Sequence, residues 1–227
     1  PCKKNEKFNS DTDILTRDYV PGDFTGDGNV AVNNEKTNLI DWDCDNHWSK
    51  LVSREMLSSV REASTIERYP IDDENLRETT HYLFTKNPDI DWDSLNLERK
   101  DLNGEKIIEL RPKGITVIPP SITPDKETKK LYKRKWGMFN PRPKVLKNVL
   151  SLWNWANFSS FLLPLIHSTN TGMLKLDACL KRYCDMSDLD RENFLYKLYK
   201  IKYPDKIDHD RDLKIKAIRR VIKANNN

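Results

Sequence analysis

The sequence predicts a mainly α protein: a small helical bundle in the C-terminal half, an extended N-terminal arm, and a short β-hairpin or extended linker in the middle. Three observations carry this. Apolar residues recur at three- and four-residue steps in several long windows, the signature of one buried helix face. Proline and glycine cluster between those windows instead of inside them. Six Trp, eight Tyr and seven Phe stand against seven Gly, too many aromatics for a chain without a folded core.

Residues 1–38 read as an extended arm. Its stretch Pro21-Gly22-Asp23-Phe24-Thr25-Gly26-Asp27-Gly28-Asn29 is turn chemistry. It imitates the start of a calcium loop, but the twelfth position is Asn34 where a bidentate carboxylate is needed, so a plain turn is expected. Residues 39–100 form an acidic helical segment. Trp48, Leu51, Val52, Met56, Leu57 and Val60 mark a helix over 47–68 that Tyr69-Pro70 ends. A second helix is expected over 73–86, with Leu76, His81, Leu83 and Phe84 inside.

Residues 101–124 change character. Ile107, Ile108 and Leu110, then Ile115, Val117 and Ile118, suggest two short strands around Arg111-Pro112-Lys113-Gly114, followed by a Pro-rich linker. Residues 125–227 form the basic helical domain, with helices expected over 125–136, 144–163, around 174–180, over 188–202 and over 211–224.

Charge is divided between the halves. Residues 1–100 hold thirteen Lys and Arg against twenty-one Asp and Glu, a balance of −8; residues 101–227 hold 26 against 14, a balance of +12. A basic half points to a polyanionic partner, DNA or RNA, against the alternatives of a solvated surface or of the two halves pairing with each other. The densest run is Lys129-Lys130-Leu131-Tyr132-Lys133-Arg134-Lys135-Trp136. Its cations Lys129, Lys130, Lys133, Arg134 and Lys135 suit phosphates, and its rings suit bases; the same run fits a nuclear localisation signal or a wet helix face. Lys214, Lys216, Arg219, Arg220 and Lys223 make a second cationic segment on the last helix.

Two pentads are alike: Ile40-Asp41-Trp42-Asp43-Cys44 and Ile90-Asp91-Trp92-Asp93-Ser94. Paired Asp residues can do acid–base chemistry. Here they read as acidic docking segments anchored by Trp42 and Trp92, with Trp153 and Trp155 as further anchors for protein partners. His81 has no His or Cys at metal spacing and reads as a packed or surface residue. Cys179 and Cys184, five apart, suit neither a helix face nor a zinc knuckle. There is no glycine-rich phosphate loop, GxSxG or HExxH, so no catalysis, no cofactor, no metal and no small-molecule substrate are expected.

No apolar run reaches eighteen residues, and the start Pro1-Cys2-Lys3-Lys4 opens no signal peptide, so no membrane partner is expected. No CxxC occurs among the four cysteines, which fits free thiols in a reducing compartment.

Within 148–200, the string Leu150-Ser151-Leu152-Trp153-Asn154-Trp155-Ala156-Asn157-Phe158-Ser159-Ser160-Phe161-Leu162, followed by Leu174-Lys175-Leu176-Asp177-Ala178-Cys179-Leu180, resembles the DDT-type helical module of chromatin-remodeller accessory subunits. The resemblance implies a nuclear scaffold that touches DNA or a remodelling ATPase. Together these readings lead to an expected role: a non-catalytic scaffold or accessory subunit of a large nuclear assembly acting on chromatin or transcription. Its partners would be the other subunits of a stable complex. The alternative is a direct nucleic-acid-binding protein or ribonucleoprotein subunit that uses the basic half.

Overall fold

A computed structural model describes residues 29–57, 63–125, 128–165, 171–184, 186–204 and 207–226. The chain divides into two compact units, Pro1–Asn154 and Trp155–Asn227. The first is built on β-sheet, which overturns the mainly helical expectation.

Nine strands occur among the described residues: β1 Val30–Asn33, β2 Leu39–Cys44, β3 Ser64–Pro70, β4 Glu78–Thr85, β5 Glu98–Lys100, β6 Lys106–Arg111, β7 Ile115–Ile118, β8 Ser121–Pro124 and β9 Leu131–Met138. Seven form an antiparallel sheet in the order β5-β6-β2-β4-β3-β9-β8, and β1 pairs with β7 in a second, two-stranded sheet. Helix α1, His47–Leu57, packs against β2, β4 and β6.

The two sheet faces differ in chemistry because side chains alternate along a strand. Ile40, Trp42 and Cys44 on β2 share a face with Tyr82 and Phe84 on β4 and with Ile108 and Leu110 on β6. All seven are buried. Ser53 of α1 accepts a hydrogen bond from Trp42 Nε1 at 2.8 Å and contacts the Cys44 thiol at 3.2 Å. The Trp153 ring meets Trp42 edge-on at 5.7 Å. The opposite face carries Asp41 and Asp43.

The helix expected over 47–68 stops at Leu57, and Ser64–Pro70 is a strand. The helix expected over 73–86 is β4 instead, preceded by a single 3-10 turn at Glu74–Leu76. The run Thr79-Thr80-His81-Tyr82-Leu83-Phe84-Thr85 is β-branched and aromatic, and a strand buried on both faces reads as a continuous apolar stretch. The helix expected over 125–136 is β9, whose outward Lys133 and Lys135 flank an inward Arg134. Residues 101–124 do contain strands, but β6 and β7 do not form a hairpin with each other. β6 joins the large sheet and β7 pairs back to β1, within the segment read as an extended arm. Residues 23–28 of the calcium-like loop lie outside the described residues; its remainder is buried Asn29, strand β1 and buried Asn34.

The second unit is helical as expected. Helix α2, Val149–Leu162, runs into it; α3 Thr171–Tyr183, α4 Asp188–Lys202 and α5 Ile207–Asn226 follow. Ser187 caps α4, accepting from the Asp190 amide. Leu163, Leu180, Leu195, Leu198 and Ile218 are the centre of its core.

Candidate active site

Asp41 and Asp43 are two apart on β2, so both carboxylates project from one sheet face. Register sets their neighbours. Asp43 lies opposite His81 on β4 and opposite Glu109 on β6, and Asp41 lies opposite Arg111. Antiparallel partners share a face, so five strand positions deliver their side chains to one face. Atoms of Asp41, Asp43 and His81 suited to a metal ion lie within 4.8 Å of one another.

The cluster is densely bonded. His81 Nδ1 lies 3.1 Å from Asp41 Oδ1 and 3.3 Å from Asp43 Oδ1. Arg111 Nη2 bonds Asp41 and reaches Asp43 Oδ2 at 3.0 Å. Thr116 on β7 donates to Asp41 Oδ2 at 2.6 Å and accepts from the Asn34 amide at 3.1 Å. From β9, Arg134 places Nη1 2.8 Å from His81 Nε2.

A guanidinium only donates, so His81 Nε2 accepts from Arg134. Nδ1 therefore carries the ring hydrogen and donates toward the two carboxylates. An imidazole that ligated a metal through Nδ1 would turn an N–H toward Arg134. The Arg134 contact thus favours Asp41 and Asp43 as the ligands, with His81 orienting them from behind.

Burial alone would raise the Asp41 carboxyl, but His81, the Arg111 guanidinium and the Thr116 hydroxyl outweigh it and hold it well below the usual carboxylate range. Burial also lowers Arg134, to about 10, with the like charges of Arg68 and Arg111 adding to the effect and Asp43 and Asp41 opposing it. The Nε atoms of Arg68, Arg111 and Arg134 are buried without a hydrogen-bond partner among the described residues. Buried guanidinium donors normally find acceptors, so three such atoms around one sheet face suit an anion.

Oxygen donors from two carboxylates fit a hard divalent cation such as Mg2+ or Mn2+. The arginines suit a phosphorylated ligand beside it.

The residues singled out from sequence are distributed unevenly. Arg134 points into this cluster, while Lys133 and Lys135, on the other side of the same strand, are exposed. Lys129 and Lys130 are exposed in the loop before β9. Trp42 and Trp153, read as docking anchors, are enclosed in the core. Trp92 is half-buried and donates Nε1 to the Asn87 carbonyl at 3.0 Å. Trp155 is half-buried against Phe194 at 5.6 Å.

On α5, Lys214 sits 3.8 Å over the Tyr199 ring and Arg219 pairs with Glu192 at 2.8 Å; Lys216, Arg220 and Lys223 are exposed. Sequence reasoning set His81 aside and missed Arg111, Thr116 and Asn34. The available signal was the Asp-x-Asp spacing, which has this meaning only once residues 39–44 are a strand.

No protein-family model matches the chain, and comparison with curated proteins and with solved structures finds no match.

Proposed function

We propose that this protein is a divalent-cation-dependent nucleotidyltransferase that adds nucleotides to a nucleic-acid strand, a reaction of primase or polymerase type. The observation that carries the reading is the convergence of Asp41, Asp43 and His81 within 4.8 Å, edged by Arg111 and Arg134. In phosphoryl transfer the protein supplies position and charge, with little covalent chemistry of its own.

Asp41 and Asp43 would hold the cation, which neutralises phosphate charge and lowers the barrier to attack by a strand-end hydroxyl. Arg111 and Arg134 offer donors to phosphate oxygens, taking the place of the glycine-rich loop that the sequence lacks. His81 keeps the carboxylates in place, and its own ring is fixed by Arg134. Glu109, opposite Asp43, supplies a third carboxylate on the same face. In the reaction, the hydroxyl loses its proton to solvent, its oxygen bonds to the α-phosphorus of a nucleoside triphosphate, the bond to the bridging oxygen breaks, and pyrophosphate leaves with the electron pair.

The polyanionic partner expected from the basic half remains, now as the substrate of a chemistry. The exposed Lys133 and Lys135 support that partner. The scaffold reading loses the support of Trp42 and Trp153, which lie in the core.

The test is strand extension. The full chain, a labelled primer–template or single-stranded template, nucleoside triphosphates and Mg2+ or Mn2+ are incubated and resolved by length. Longer products that vanish with EDTA and with Asp43→Asn support the reading. Shortening of the labelled strand without extension would replace transfer by hydrolysis, and no metal-dependent change at all would sink it.

A further inference from the structure

We propose that Trp136 and Phe139 form a stacking shelf for the bases of single-stranded nucleic acid, at the margin of the polar sheet face. The inference rests on nucleic acid being the substrate.

Trp136 stands opposite Ile66, and Ile66 stands opposite His81. Trp136 therefore shares the face of His81, Asp43 and Arg134, two strands away from His81. At about 4.8 Å per strand that separation is about 10 Å. This is too far for a ring to touch the reacting phosphate and close enough to hold a neighbouring nucleotide.

The pair itself has the form of a shelf. Phe139 is 60% exposed, with Trp136 as its ring neighbour. The Trp136 and Phe139 centroids are 5.0 Å apart with planes at 56°, so neither ring covers the other's face. Tilted rings in contact leave π-surface for a third flat group.

The surrounding charge matches a phosphate backbone. Arg134 and Arg68 face each other across β9 and β3 on the same side, each with a buried Nε lacking a partner among the described residues, although Arg68 Nη2 pairs with Asp125 at 3.1 Å. The segment that follows Phe139 presents Arg142, Lys144 and Lys147, all exposed. Aromatic rings interleaved with cations bind single strands by stacking plus phosphate neutralisation, with little demand on base identity. An acidic protein segment would satisfy the cations but not the two rings.

The experiment measures binding of the full chain to a 5′-fluorescein dT 12-mer by fluorescence anisotropy in EDTA. A 12-mer of the same backbone without bases serves as the comparison ligand. Phe139→Ser, Trp136→Ala and the conservative Trp136→Phe are compared with the unaltered chain.

Phe139→Ser and Trp136→Ala are each expected to weaken binding of the dT strand by about 5-fold to 150-fold. They should leave binding of the abasic strand unchanged, and Trp136→Phe should keep most of the affinity. Equal affinity of Phe139→Ser and the unaltered chain for dT would overturn the shelf, as would an equal loss on both strands. Extension activity with unaltered dT binding by the variants would remove the shelf and leave the transferase reading standing. Base-dependent, Trp136-dependent binding without extension would remove the transferase reading and leave the shelf.

Discussion

Arg134 donates from Nη1 to His81 Nε2 at 2.8 Å, and this contact fixes which imidazole nitrogen carries hydrogen. With Nε2 accepting, Nδ1–H points at Asp41 and Asp43. Replacing Arg134 by Met removes the only group holding that choice from the Nε2 side among the described residues. Long-range 1H–15N spectra of the unaltered chain are expected to show a single Nδ1–H tautomer at His81. Arg134→Met should give a mixture and lower extension about 10- to 100-fold, the usual cost of losing an outer-shell partner of a metal site. A single unchanged tautomer in Arg134→Met would refute the positioning role.

Asp41 and Asp43 should separate on stability while agreeing on activity. Both are the expected cation ligands, so either Asn variant should cut extension about 100-fold or more, equivalent to about 3 kcal/mol. Mn2+ binding, followed by electron paramagnetic resonance, should fall in both. Asp41 is fully buried and tied to Arg111 and Thr116, whereas the Asp43 side chain is 13% exposed. Asp41→Asn should therefore also lower the urea midpoint, and Asp43→Asn should lower it less. A variant pair with full Mn2+ binding would remove the metal from the site.

Asp41 also gives acid sensitivity with a defined sign. Its folded-state pKa lies below its ordinary 3.8, so the folded state binds its proton less readily than the unfolded state does. The stability this supplies is present in full above about pH 4 and is lost as pH falls toward the lower folded value. The difference in unfolding free energy between the unaltered chain and Asp41→Asn is expected to be constant from pH 7 to 5 and to shrink below pH 4. A difference that grows on acidification would contradict the assignment.

The helical unit and the strands Lys106–Arg111 and Ile115–Ile118 were legible in the sequence, and the rest of the large sheet was not. Phe194, Leu195, Leu198, Tyr199 and Ile201 keep the helical period that one face of α4 buries, while its cap, Ser187, was not singled out from the sequence. In β4 the period failed because both faces are covered: Thr80, His81, Tyr82, Leu83 and Phe84 are all buried, so no alternation shows. The same ambiguity hid the site. Asp41 and Asp43 straddle Trp42, and as a coil segment they read as acidic docking. On β2 the same three residues send one ring to the core and two carboxylates to the opposite face. Arg111 and Thr116 reach Asp41 across 70 and 75 residues of chain, and Arg134 reaches His81 across 53, distances that local pattern does not encode.

In the helical unit a second buried charge pair is expected to act structurally. Arg191 and Asp177 are both nearly inaccessible, with Nε to Oδ1 at 2.7 Å. The remaining guanidinium nitrogens bond the Met186 carbonyl at 3.2 Å, Asn226 at 3.1 Å and Asp188 at 3.1 Å, and Asn225 donates to the other Asp177 oxygen at 2.9 Å. The set ties α3, α4 and α5 together. Arg191→Met would leave the Asp177 carboxylate buried and without its cation, a loss of about 3–5 kcal/mol. Arg191→Lys should recover little, because an ammonium cannot reproduce the fork that reaches four acceptors. Arg191→Met combined with Asp177→Leu should recover most of it, since the pair's removal also removes its desolvation cost. Urea unfolding of the full chain, followed by far-UV circular dichroism, separates these. A double variant no more stable than Arg191→Met would show that the set is needed for the helix packing itself and not merely for its own charge balance.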